Sequence, residues 1–92
     1  MLKERGILVA TKGIKSATDE NPVFMREVLK SLNRYNENDW GDMCEEDKQM
    51  NDNAVANGDD RIFAAYNTSE GKIFIITEYD RSATTVLFAD EY

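Results

Sequence analysis

Apolar residues in this chain fall into separate blocks, and the spacing inside the blocks changes from strand-like to helix-like and back. Gly6-Ile7-Leu8-Val9-Ala10-Thr11 is a short β-branched, apolar run closed by Lys12-Gly13, which predicts a strand. Residues 13–20 are polar and read as a connector. Asn21-Pro22 then places a capping residue before a proline at the first helical position. Beyond it, Phe24, Val28, Leu32 and Tyr35 recur at steps of four, four and three, and Met25 and Leu29 widen the stripe. That spacing predicts an amphipathic helix of about 14 residues that docks on a core. Arg26, Lys30 and Arg34 form a basic ridge along one flank, a solvated face before it is a contact.

After the polar break Asn36-Glu37-Asn38-Asp39, the segment Asp42-Met43-Cys44-Glu45 has capping-box spacing. Glu45, Glu46 and Asp47 suit the positive end of a helix dipole, and Gly58 supplies a left-handed stop. The helix between them carries only Met43, Met50, Ala54 and Val55 as apolar positions, so it should lie on the surface through a narrow contact. The last third reads as β. Arg61–Tyr66, Lys72–Thr77 and Thr84–Phe88 are strands, joined by a hairpin loop over residues 67–71 and a turn over residues 78–82. The run at Ile73 is apolar on both faces and should be central. The predicted architecture is one α+β domain over residues 1–92, in the order β-α-α-β-β-β. An antiparallel three- to four-stranded sheet carries two helices on one face.

Charge refines this picture. The chain is 92 residues long with a net charge of −7, and the charge is unevenly placed. Residues 1–35 hold seven bases against four acids; residues 36–92 hold four bases against fourteen acids. The acidic half disfavours nucleic-acid contact, which needs Lys and Arg, and favours a protein partner with a basic surface. Solubility alone also accounts for such an excess. One Cys forms no internal disulfide, and no leader or 20-residue apolar span is visible, so a cytoplasmic location off the membrane is expected.

Candidate chemistry is sparse. Without His, imidazole bases and His-ligated zinc are excluded. No glycine-rich phosphate loop is present, so no cofactor is expected. Cys44 is followed by three acids that oppose thiolate formation. The acids from Asp39 to Asp47 do not follow a calcium-loop pattern, so no metal is expected, and no pair of carboxylates is marked for hydrolysis. What stands out is the only Trp, Trp40, set among acids. Its ring is either packed back against the preceding helix, with Gly41 turning the chain, or a contact surface flanked by Glu37, Asp39 and Asp42. Arg81, in the last turn, is a further candidate for partner binding, or simply pairs with Asp80 or Glu78.

Several runs carry a resemblance: Asp39-Trp40-Gly41-Asp42, Glu45-Glu46-Asp47-Lys48, Asn51-Asp52, Ala64-Ala65-Tyr66, Ile75-Ile76-Thr77-Glu78, Asp80-Arg81-Ser82, Thr84-Thr85-Val86-Leu87-Phe88 and Glu91-Tyr92. Together they resemble a family of small bacterial proteins associated with plasmids and other mobile elements, some labelled plasmid-related or restriction-system proteins. The resemblance spans nearly the whole chain and implies no catalytic residue. With the acidic surface around Trp40 and the missing catalytic chemistry, it leads to the expectation of a non-enzymatic accessory protein of a mobile element, acting through protein contacts at Glu37, Asp39, Trp40, Asp42 and Arg81. Homodimerisation is compatible with it. The alternatives are an acidic nucleic-acid mimic that inhibits a restriction or CRISPR-type nuclease, and a carboxylate- or metal-dependent enzyme.

Overall fold

The patterned blocks resolve into β1 (Ile7–Ala10), α1 (Lys12–Glu20), α2 (Pro22–Asn36), α3 (Glu45–Asn57), β2 (Ile62–Thr68), β3 (Gly71–Thr77) and β4 (Ala83–Phe88), closed by a 3-10 turn at Ala89–Glu91. This is a computed structural model, and it describes residues 5–92. The chain is α+β, but the expected sheet needs correcting. The strand order is β1-β4-β3-β2, with β2, β3 and β4 forming the predicted antiparallel meander and β1 pairing parallel to β4. The sheet is therefore mixed. A parallel pair needs a long crossover, and everything from α1 to β3 supplies it. The Ile73 strand is internal, as its two apolar faces require.

A third helix is the second correction. The polar connector at 13–20 is α1, which the sequence pattern hides because only Ile14 is buried and Ala17 is half-buried. Its ends are fixed locally: Ile14 N–H donates to the Thr11 hydroxyl at 3.3 Å, and Asn21 N–H donates to Ala17 O at 3.0 Å. Asn21 then caps α2 by accepting from the amides of Val23 and Phe24. Phe24, Val28, Leu32 and Tyr35 are buried as their spacing predicts, but Met25 and Leu29 are exposed; the buried stripe is narrower than expected. The third helix ends at Gly58 as expected, but its N-cap is Cys44 and makes no side-chain cap. The capping box at Asp42 does not form, because the Asp42 carboxylate turns to Lys72 at 3.1 Å.

Register decides which face is the core. Ile62, Ala64, Tyr66, Ile73, Ile75 and Val86 line one face of the sheet, and every buried apolar side chain of the three helices joins them. Each large side chain so buried contributes about 1.5–3 kcal/mol. Phe24 stacks on Phe88 at 5.5 Å to complete that layer. The opposite face carries Phe63, Phe74, Ile76 and Leu87 and belongs to no helix's buried stripe. Among the described residues, no helix is long and apolar enough to cross a membrane.

Candidate functional site

The Trp40 segment is built as a structural joint. Asn38 takes a left-handed conformation (φ 62°) after α2, and Asp39 N–H bonds back to Arg34 O at 2.9 Å. This turn drives the Trp40 ring inward until it is 2 % exposed, edge-on to Tyr35 at 5.5 Å, with its indole N–H donating to Asp52 at 2.9 Å. The expectation that the ring forms a contact surface is thereby overturned; the packing alternative holds. Ala65 N–H donates to Trp40 O and Asp42 N–H donates to Ala65 O, so residues 40–42 run as a bridge along the outer edge of β2. Only glycine fits at its centre: Gly41 has φ 76°, and a Cβ would overlap the Ala65 carbonyl and the Tyr66 ring.

The acids of this segment are committed as well. The Arg34 guanidinium grips Asp39 through two bonds of 2.8 and 3.1 Å and holds its carboxyl below the usual range, helped by the Gly41 amide. Lys72 and Asn67 lower Asp42 in the same way. Glu37, which follows α2 as its C-cap, is exposed. Arg81 lies apart from this loop, at the far end of α3. It does not pair with Asp80 or Glu78 carboxylates but donates to the carbonyls of Ala54, Asp60, Glu78 and Tyr79. Of the five candidates, the structure brings Glu37, Asp39, Trp40 and Asp42 together and leaves Arg81 elsewhere.

What distinguishes the molecule is the contrast between its two sheet edges. The edge of β2 is sealed. Below the 40–42 bridge, the buried amide of Asn51 both donates to Phe63 O (2.8 Å) and accepts from Phe63 N–H (3.1 Å), acting as a substitute strand. The edge of β1 is open. Ile7 and Thr11 donate inward to Ser82 O and Val86 O, so the backbone groups of Leu8 and Ala10 point outward. All four residues of β1 are exposed, with Ile7 at 69 %, Leu8 at 49 % and Val9 at 37 %. No charge, proline or bulge blunts this edge, and among the described residues nothing covers it.

The helix-free face continues from that edge. Ile7 and Val9 lie on it beside Thr85 and Leu87. Its far half is roofed by the C-terminus, where the Tyr92 ring stands edge-on over Phe63 and Phe74 at 5.4 and 5.7 Å and its hydroxyl accepts from Arg61 at 3.1 Å. Toward β1 the same face stays covered at Ile76 and Leu87, which are buried, and becomes exposed at Ile7 and Val9. Sequence reasoning missed these residues because an uncharged apolar run reads the same whether it is buried or at an edge; the missing gatekeeper charge was the only signal.

Among the described residues, no three carboxylate or thiol groups converge closely enough to hold a metal ion. Cys44 is free and exposed. Compared with protein-family models, with curated proteins and with solved structures, the chain matches none.

Proposed function

We propose that this protein is a non-enzymatic interaction module that takes an extended segment of a partner protein as a fifth strand on β1. The observation that carries the reading is the open β1 edge opposite a β2 edge sealed by Asn51 and the 40–42 bridge. A chain that closes one edge with a buried side chain and leaves the other apolar and unblunted is suited to strand addition. Charge narrows the occupant. Residues 5–35 hold six bases against three acids, and Lys12, at the end of β1, meets no carboxylate among the described residues. The partner segment is therefore apolar at alternate positions and acidic where it passes Lys12. This moves the expected contact away from Trp40, and from the acidic half to the basic one. An accessory role on a mobile element is compatible with such a module and rests on the sequence resemblance alone.

Selection of binders from a library of extended ten-residue peptides tests the reading. Peptides of the stated pattern should be recovered. They should slow hydrogen exchange at the Leu8 and Ala10 amides while leaving those of Phe63 and Ala65 unchanged. Leu8→Pro removes an outward-pointing donor without touching the ladder to β4, and should weaken binding at least about tenfold, or about 1.4 kcal/mol. Peptides that bind Leu8→Pro equally well would overturn the proposal. Self-association through β1, seen as a Leu8→Pro-sensitive dimer in sedimentation, would replace the foreign partner with a second copy.

A second reading, the nucleic-acid mimic, is favoured by one observation: α3 buries only Asn51 and Ala54 and leaves Glu45, Glu46 and Asp47 exposed. It predicts competition with duplex DNA for a basic nuclease, weakening steeply with salt. Competition that does not change between 50 and 200 mM salt would exclude it.

A further inference from the structure

At the end of the sheet where β1, β2 and β4 begin, a cleft of about 250 Å³ is lined by Arg5, Val55, Gly58, Ile62 and Arg81. Lys15, Arg34, Lys48 and Lys72 each meet a carboxylate. Among the described residues, Arg5 and Arg81 meet only neutral oxygens, in a protein with 18 acidic side chains. Arg5 donates to Tyr35 O at 2.8 Å and to the Asn38 side-chain oxygen at 2.7 Å, and its guanidinium lies 5.0 Å from the centre of the Tyr35 ring. Arg81 donates to four carbonyls, including Ala54 O at 2.8 Å near the end of α3.

Among the described residues, no carboxylate of Asp59, Asp60, Glu78 or Asp80 pairs with these two cations. The Asp60 carboxylate accepts from Arg61 N–H and the Asp80 carboxylate from Ser82 N–H, while Asp59 lines a separate shallow cleft with Met50 and Asn53. A guanidinium has five N–H donors. Arg5 uses only its two terminal nitrogens, and neither Nε–H has a protein acceptor among the described residues. Both side chains are half-buried and fixed by several bonds, so the donors are pre-organised, with the buried Ile62 side chain and Val55 supplying an apolar wall.

We propose that this cleft binds an oxyanion, the carboxylate or phosphate group of a small molecule or chain end, between Arg5 and Arg81. Planar guanidinium forks match both groups, and a partly desolvated pair of them binds an anion more strongly than exposed lysines do. The proposal does not rest on strand addition at β1, because the cleft opens on the end of the sheet beside α3.

The test is an NMR titration of the intact protein, following the Nε–H signals of Arg5 and Arg81, with inorganic phosphate, acetate or chloride added at matched ionic strength. Saturable shifts at both arginines with phosphate or acetate, absent with chloride and absent at the exposed Arg26, are expected. The anion that saturates at the lower concentration identifies the preferred group. Val55→Glu puts a carboxylate into the cleft from an exposed helix position, and should weaken binding at least tenfold while leaving the remaining amide spectrum in place. Val55→Gln, equal in size and neutral, should bind as the wild type does. Shifts that fail to saturate, that follow chloride equally, or that survive Val55→Glu would overturn the proposal.

Discussion

At the scale of single residues, the conspicuous acids and the lone Trp are explained by partners far away in sequence. Asp42 has capping spacing toward Glu45, yet its carboxylate is held by Lys72, thirty residues on. No local pattern could reveal that pairing. The burial of Trp40 was legible as one of two readings, because the glycine after it permits the turn; its bond to Asp52 was not. Trp40→Ala should therefore destabilise the fold by about 3–5 kcal/mol, the usual cost of emptying a buried Trp site, rather than remove a contact from a folded domain. Chemical denaturation measures this directly, and a loss under 1 kcal/mol would show the ring to be peripheral. Asn51 makes the sharper case. Its amide satisfies both edge groups of Phe63 from a buried position, so Asn51→Leu orphans a donor and an acceptor together. A loss of about 2–4 kcal/mol is expected, with faster exchange at the Phe63 amide.

At the scale of elements, α2 was readable from its helical period and the meander from its β-branched and aromatic runs between turn residues, and α1 was not, because its helix depends on its ends. Lys12–Glu20 contains Gly13 and Thr18, offers the core one large side chain, and has little intrinsic helical bias. Thr11 compensates at both levels. Its hydroxyl oxygen accepts from Ile14 N–H, and the same hydroxyl donates to Glu91 at 2.7 Å, tying the start of α1 to the C-terminal turn. Thr11→Ala should cost about 1–2 kcal/mol, while Thr11→Ser keeps both bonds and should cost less than half as much. Equal losses in the two variants would mean that the methyl group, not the cap, matters. The parallel placement of β1 was also beyond local pattern, since the Ile7–Ala10 run pairs with residues almost eighty positions away. That placement is what puts an apolar strand at an edge, and so what makes the candidate docking site.

At the scale of the whole molecule, the core of an acidic protein holds a buried chain of hydroxyls that should set its alkaline limit. Thr84 donates to Arg5 O at 2.6 Å, and because a carbonyl can only accept, the order of the remaining bonds follows: Tyr35 donates to Thr77 at 2.6 Å, and Thr77 to Thr84 at 2.7 Å. All three side chains are fully buried. Burial pushes the Tyr35 hydroxyl up to about 12, against the opposing pull of its bond to Thr77 and of Arg5 and Arg81. An unfolded tyrosine ionises near 10. The folded value is the higher one, so the stability tied to the neutral phenol is complete below about pH 10 and is lost as pH rises toward about 12. Two pH units correspond to about 2.7 kcal/mol. Burial raises Tyr66 as well, with the Asp39 carboxylate adding to it, so part of the alkaline slope persists when Tyr35 is removed. Tyr35→Phe should cost about 1–2 kcal/mol at pH 8, where the chain of donors loses its first member. Toward pH 12 the variant should draw level with the wild type or pass it, because it has no phenol to ionise on unfolding. The growing negative charge of the chain acts on both proteins alike, so it cancels in the difference between their urea midpoints. A difference that stays constant from pH 8 to 12 would mean that Tyr35 ionises as readily in the core as in water, and that the hydroxyl chain does not set the limit.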